Sequence, residues 1–391
     1  MSNSKDKIRK LFYSTEASNR KLAFELAKEA NCYEEMLTEF YTALQDLYIF
    51  EEEKSDWLEH MQDIYEDEEL IWPTEELELK RLHIEGFCYS YFQEEIYLRG
   101  SMAVDRMEHN LQVFPKVVLN CTFVRALDLS WNNLECLPPE IEQLSNLVKL
   151  DLSCNDRLKN LPASLANLEH LEELKLYGIH SVLETKVPEN ELENGKEHRY
   201  ELPEFFRKMP QLKTLDLGDV YIERLPTWIH EMKGLESLMI FSGSGSNPTL
   251  ELPSTFTQLS KLALLQINAY TTAIPEDIDQ MQSLECLIVE PAVQIPSSIK
   301  HLKKLHYLDL SYLSYDIEFD EVEGYKNLFD VSDKGVPEGL SRIKIYGWEW
   351  LKEMTQLKEF TFKHIEPYAF TVVEREELQA ALPNCKLVLE D

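Results

Sequence analysis

The sequence predicts an α/β fold. Short strands line up in a curved parallel sheet, short helices or 3₁₀ turns form the convex side, and an α-helical cap closes the N-terminal end. Three observations predict it. An L-x-x-L-x-L pattern returns at intervals near 23 residues, an apolar-Pro pair returns between those matches, and the first 76 residues carry apolar side chains at helical spacing.

The strand pattern comes first. Residues 127–132 read "LDLSWN" and residues 150–155 read "LDLSCN". Matches begin at Val124, Leu147, Leu171, Leu212, Leu235, Leu262, Leu284, Leu305, Leu340 and Leu357, which makes ten repeats. Alternation turns both leucines of L-x-L inward and the residue between them outward, as a short strand requires. The second marker stands at Pro115, Pro138, Pro162, Pro203, Pro226, Pro253, Pro275, Pro296 and Pro337, with intervals of 23, 24, 41, 23, 27, 22, 21 and 41 residues. After it, Ile141, Leu144 and Leu147 follow at three-residue spacing, which suits a short helix or 3₁₀ turn.

"LPPEIEQLSNLVKLDLSCN" resembles the intracellular leucine-rich repeat written LPxxIxxLxxLxxLxLxxN, found in bacteria and in Ras-pathway and plant cytosolic proteins. The resemblance covers roughly residues 110–391. It implies a leucine-rich repeat solenoid, a protein-binding role and no cofactor. Asn132 and Asn155 match the asparagine of the repeat, whose amide is expected to satisfy backbone groups inside the turn. Later repeats carry Ile179, Val220, Gly243, Tyr270, Ala292, Leu313 and Trp348 there, so the asparagine ladder stops after two. One repeat cannot bury its own leucines, and stacking makes the core continuous.

Before the repeats, "STEASNRKLAFELAKEA" opens with hydroxyl caps and places Leu22, Leu26 and Ala30 at helical spacing, and "YEEMLTEFYTALQDLYIF" carries a broad apolar stripe. Three to four helices are expected before Trp72-Pro73. Residues 34–78 hold 17 acids and one base, Lys54, which reads as a solvated helix face or an acidic docking surface. The expected organisation is an acidic helical cap over 1–76, an irregular first repeat over 77–123 with "LELKRLHIEG" and "QEEIYLRG" as strand candidates, repeats over 124–375 and a C-terminal cap over 376–391. The last segment, "LQAALPNCKLVLED", reads as a helix and a sealing strand. Two insertions, near 178–201 and 312–335, account for the long intervals.

Composition narrows the function classes. Lys and Arg total 39 against 71 Asp and Glu, a formal charge of −32. Such a surface repels phosphate backbones and anionic lipid, so nucleic acid and membrane are excluded as expected partners and a basic protein or peptide is favoured. The start lacks the apolar core of a signal peptide, and no run reaches the roughly 18 apolar residues that span a bilayer. Seven scattered cysteines, with no C-x-x-C pair, fit neither a zinc site nor a disulfide framework. Cys136, Cys154 and Cys286 lie within repeats and are expected as small buried thiols. A cytoplasmic, reduced protein is expected.

No phosphate-binding, dinucleotide, zinc-protease or nucleophile-elbow motif is present, and "SGSGSNP" at 242–248 reads as a loop. The expected function is therefore a non-enzymatic interaction scaffold. The runner-up is an effector or enzyme with activity in the N-terminal segment, where Cys32, Cys88, His60, His83 and His109 form no recognised signature. Candidate partner-binding residues are the strand positions expected on the concave face: Asp128, Asp151, Lys175, Tyr177, Asp216, Met239, Phe241, Gln266, Ile288, Asp309 and Tyr346. Met239, Phe241 and Ile288 stand out because exposed apolar residues on a sheet mark contact surfaces. Both insertions leave from the C-terminal ends of strands, five repeats or on the order of 24 Å apart, and are expected to wall a cradle with that face.

Overall fold

Leucine at alternate positions draws the chain into extended segments with one dry side, and among the described residues the L-x-L matches become strands of three to five residues. The computed structural model describes residues 2–30, 94–98, 111–179, 184–186, 198–220, 222, 224–241, 250, 252–268, 274–290, 295–311, 348–363 and 372–390. They fall into two compact units, Met1–Val182 and Leu183–Asp391.

The N-terminal unit opens with helices α1 (Ser2–Phe12) and α2 (Ala17–Glu29), followed by strands β1 (Glu95–Tyr97), β2 (Ala126–Asp128), β3 (Lys149–Asp151) and β4 (Glu173–Lys175). The strands run parallel in chain order, with Ile96, Leu127, Leu150 and Leu174 in register. "QEEIYLRG" therefore supplies the first strand, while "LELKRLHIEG" and the stripe over 33–50 lie outside the described residues.

Between strands the proline marker starts a 3₁₀ turn. Pro138 (φ −71°) and Pro162 (φ −70°) cap the turns Pro139–Gln143 and Ala163–Asn167. Proline fixes that φ and needs no N–H, while its carbonyl accepts from the residue three places on: Ile141 N to Pro138 O and Leu165 N to Pro162 O, both 3.0 Å. The three-residue spacing then buries Ile141, Leu144 and Leu147 completely.

The helices pack through Ile8, Phe12, Ala23, Phe24 and Ala27, with the Phe12 and Phe24 rings 5.2 Å apart, and a buried arginine ties α2 to β1. Arg20 is fully buried; its Nη1 donates to Ser14 O (3.0 Å) and Thr15 O (2.9 Å), its Nη2 to Glu94 Oε1 (3.2 Å), and its guanidinium lies 3.9 Å from the Phe123 ring centre. The buried face of α2 is Arg20, Ala23, Phe24 and Ala27, whereas Leu22 is 47% exposed and Ala30 is exposed too. The expected Leu22–Leu26–Ala30 stripe is thus corrected by one step around the helix. Paired and hydrogen-bonded, arginine takes an inward position that leucine would otherwise hold.

β2, β3, β4 and the strand Thr214–Leu217 leave through the same turn. Trp131, Cys154, Gly178 and, in the C-terminal unit, Asp219 all have positive φ, from 49° to 69°, two places after the second leucine. A left-handed residue with a Cβ costs about 1 kcal/mol, and at Gly178 a Cβ would also lie 3.3 Å from Cys154 Sγ. Asparagine sits inside this turn. Asn132 Nδ2 donates to Leu98 O, Leu129 O and Ser130 O (2.7, 3.0 and 3.2 Å) while its Oδ1 accepts from Leu111 N (2.9 Å). Asn155 repeats the set one layer on, to Leu129 O, Leu152 O and Ser153 O, accepting from Leu134 N. Both are buried.

The C-terminal unit begins with an antiparallel pair, β5 (Glu184–Lys186) and β6 (His198–Tyr200), inside the first insertion. Then follow β7 (Thr214–Leu217), β8 (Ser237–Phe241), β9 (Leu264–Asn268), β10 (Cys286–Glu290), β11 (Tyr307–Asp309), β12 (Glu359–Lys363), α3 (Val372–Ala381) and β13 (Lys386–Glu390). Strands β7 to β13 pair in parallel, in chain order. The segment read as a final helix and strand forms the last turn of α3 and all of β13.

One expectation is overturned here. β11 pairs directly with β12, with Leu308 opposite Phe360 and Lys358 N bonded to His306 O (2.8 Å), so no strand from the expected ninth repeat (Leu340, Ile343, Ile345) stands between them. The last 3₁₀ turn is Trp348–Glu353, and Leu351, Met354 and Leu357 take the places that Ile299, Leu302 and Leu305 hold one layer earlier. Trp348 stands at the start of this layer's turn, and the Pro337 marker lies outside the described residues.

Two outcomes check these assignments by urea unfolding and amide exchange. Asn155→Leu, which strands Leu134 N and Leu152 O in a dry turn, is expected to cost about 3 kcal/mol. Asn146→Ala, which loses one exposed bond to Thr122 O, costs about 0.5 kcal/mol. Arg20→Met is expected to cost about 3 kcal/mol and to speed amide exchange in α1 and α2 while β2, β3 and β4 keep their protection.

Candidate functional site

The strand face turned away from the leucines is where side chains vary without touching the core. In the N-terminal unit this face is a lattice of paired charges. Lys149 Nζ lies 3.1 Å from Glu173 Oε2, and Lys175 Nζ lies 3.2 Å from Glu173 Oε1 and 4.0 Å from Asp151 Oδ2. Burial raises the Glu173 carboxyl pKa, but hydrogen bonds from Lys149 and Lys175 outweigh it and hold the group below its ordinary value. Tyr177, one place past the second leucine, is 40% exposed.

The aspartates expected as partner contacts have a local task. Asp128, Asp151, Asp216 and Asp309 each accept through Oδ1 from the backbone N–H two residues on, at Ser130, Ser153, Gly218 and Ser311 (2.8 to 2.9 Å). This Asx turn steers the chain into the left-handed residue that follows in the first three cases. Asp309 is only 8% exposed and Ser311 1%, so the expectation of a solvent-facing Asp309 is corrected: the far end of β11 is covered. Tyr346 lies outside the described residues.

In the C-terminal unit, β8, β9 and β10 lengthen to five residues and their outward face turns apolar. Register sets Asp216, Met239, Gln266, Ile288 and Asp309 in one row and Thr214, Ser237, Leu264, Cys286 and Tyr307 in the row before it. Met239, Leu264, Gln266, Cys286, Ile288 and Tyr307 are all half-exposed. At about 4.8 Å per strand, Met239 and Ile288 stand about 10 Å apart, with Leu264 and Cys286 beside them. Phe241 ends β8, next to Asn268 in the ladder.

The sequence reading named Met239 and Ile288 but missed Leu264, Cys286 and Tyr307. The available signal was the same alternation extended one step upstream, since the residue before the first leucine shares a face with the residue after it. The buried-thiol expectation fails for all three: Cys136 is exposed, and Cys154 and Cys286 are half-exposed. Cys154 holds the left-handed turn position, and Cys286 faces outward beside the inward Leu287.

The chemistry of this surface is that of contact. Burial, helped by Asp309, pushes the Cys286 thiol up, and burial outweighs a hydrogen bond from Thr361 to push the Tyr307 phenol up. Tyr307 Oη donates to Asp309 Oδ2 (3.4 Å). Elsewhere burial pushes the Cys385 thiol up to about 11 and the Cys121 thiol further still, which keeps both protonated at neutral pH. Among the described residues no group of His, Cys, Asp and Glu is placed to hold a metal ion, and no helix is long and apolar enough to cross a membrane.

A family model described as a leucine-rich repeat region matches residues 191–366, and a second, described as a leucine rich repeat, matches residues 123–144. Similar solved structures include a Leptospira interrogans leucine-rich repeat protein, at 22% identity over 71% of this chain and 81% of that one, with a TM-score of 0.41. An internalin from Listeria monocytogenes matches at 16% identity over 88% of this chain and 90% of its own, with a TM-score of 0.42. The ectodomain of the Arabidopsis receptor kinase HAESA, solved with a peptide hormone ligand, matches at 20% identity over 66% and 38%, with a TM-score of 0.41.

The charge lattice makes stability depend on acid. A carboxylate whose folded pKa is depressed adds stability that is fully present above its unfolded value, near 4.5, and is lost as pH falls through the folded value. Unfolding the wild type and Glu173→Gln across acid pH should show the wild type losing more stability below about pH 4.5. Parallel curves would mean that the lattice contributes nothing.

Proposed function

We propose that this chain, a leucine-rich repeat protein, is a recognition module without catalytic chemistry of its own, and that a protein or peptide docks on the outward face of β8, β9 and β10. The observation that carries the reading is the row change at that face. The N-terminal unit neutralises its outward positions with ion pairs, whereas here Met239, Leu264, Cys286 and Ile288 stand half-exposed together with no charge among them. Apolar side chains held by a rigid ladder are pre-organised, so a partner burying them spends no folding entropy on this side.

Electrostatics sets the partner's character. A net charge of −32 favours a basic protein or peptide and disfavours nucleic acid and anionic membrane, in keeping with a cytoplasmic protein. The segment carrying β5 and β6 is the second element of the reading, a wall contributed by the first insertion.

The test is capture from cell lysate with the wild type, with Met239→Glu/Ile288→Glu, and with a chain lacking 187–197, at low and moderate salt. Basic proteins held by the wild type, weakened by about 2 kcal/mol in the double variant and released as salt rises, are the expected outcome. An identical set on wild type and double variant, with circular dichroism unchanged, would move the site off this face.

A further inference from the structure

Among the described residues of the C-terminal unit, β13, the last strand of its sheet, is paired on one side only. The core feels the lack of a neighbour. Leu387 and Leu389 stand in register with Phe360 and Phe362, which are 0% and 6% exposed, yet both leucines are only half-buried, as is Val388 between them. The strand carries neither a proline nor a bulge nor a central lysine, and the side chain of Arg375 in α3 reaches its open side. By contrast, the edge strand β1 of the N-terminal unit has the helical pair tied beside it through Arg20 and Glu94.

Backbone alternation says which groups face outward. Lys386 N donates to Lys358 O across the ladder (2.8 Å), so the N–H and C=O groups of Leu387 and Leu389 point to the open side. Arg375 Nη1 already donates to Leu389 O (3.2 Å), which leaves that carbonyl one further lone pair.

The sequence of the strand, Lys-Leu-Val-Leu-Glu, is complementary to itself read backwards. Laid antiparallel on a copy, Lys386 meets position 390 of the copy, Leu387 meets Leu389 and Val388 meets Val388. Opposite charges fall at both ends and apolar residues in the middle, and the Leu387–Leu389 pairs are those that exchange hydrogen bonds. We propose that β13 pairs antiparallel with β13 of a second copy, joining two chains about a two-fold axis through Val388. Such an interface is isologous and closes at two copies.

The long-range term opposes association, because each chain carries −32. Screening at physiological salt confines that repulsion to about 8 Å, so the dimer is expected to strengthen from low to physiological salt.

Sedimentation velocity on the full chain across concentration and salt tests the idea, with Lys386→Glu and Glu390→Lys as variants and circular dichroism as the check on folding. The wild type should dimerise, and each variant alone, which sets like charges opposite, should weaken the dimer roughly tenfold. Mixing the two variants should restore association. One chain then carries an acid at both ends of the strand, the other carries a base at both, and every end pair is again of opposite charge. A wild type that stays monomeric at every concentration and salt overturns the proposal. So does a dimer that both variants leave unchanged, or a mixture no stronger than its parts.

Discussion

No repeat in this chain is complete by itself. A strand of three residues can neither bury two leucines nor satisfy its own backbone, so each takes both from its neighbour: Lys149 N from Arg125 O, Ser237 N from Lys213 O, Cys286 N from Ala263 O. The leucines of interior layers are essentially inaccessible to solvent as a result. Stability in such a stack is a sum of nearest-neighbour terms, which makes edge strands the weak points and explains where unusual features gather. A buried arginine secures the first edge of the N-terminal unit, and the last edge of the C-terminal unit leaves two leucines half-covered.

The turn after β2, β3, β4 and β7 shows how one geometry is reached by different chemistry. The left-handed residue is tryptophan, cysteine, glycine or aspartate, and its tolerance rests on what surrounds it. Asparagine fills two turns from inside with four hydrogen bonds each. Aspartate guides the turn from outside with one. The aspartate device persists at Asp216 and Asp309, where the asparagine has been replaced, so the outer brace outlasts the inner one. That division of labour frees the outward faces to differ, ion-paired in the N-terminal unit and apolar on β8, β9 and β10.

The repeat architecture was legible because leucine spacing and the proline marker are local signals, each tied to one backbone geometry. Asn132 and Asn155 were legible for the same reason. What escaped was decided by neighbours. Arg20 holds an inward place on α2 because Glu94 and Phe123, far along the chain, meet it together with the carbonyls of Ser14 and Thr15. The match at Leu340, Ile343 and Ile345 satisfies the pattern as well as any other, but pairing of β11 with β12 is a choice between strands that no single segment encodes. Asp128 and its counterparts read as outward contacts because alternation gives direction but not the bond to the N–H two residues on. Leu264, Cys286 and Tyr307 needed the width of the face, which depends on how far β8, β9 and β10 extend.

Direct pairing of β11 with β12 also separates ladder from connection. Leu310 N bonds to Thr361 O across that joint, so the register is fixed by residues on either side of the segment 312–347 and not by the segment's length. Loop closure grows only logarithmically, about 0.6 kcal/mol for each doubling. The joint is thus a natural splice point: a foreign domain or reporter carried between Ser311 and Trp348 would ride on the scaffold without shifting a single layer of leucines.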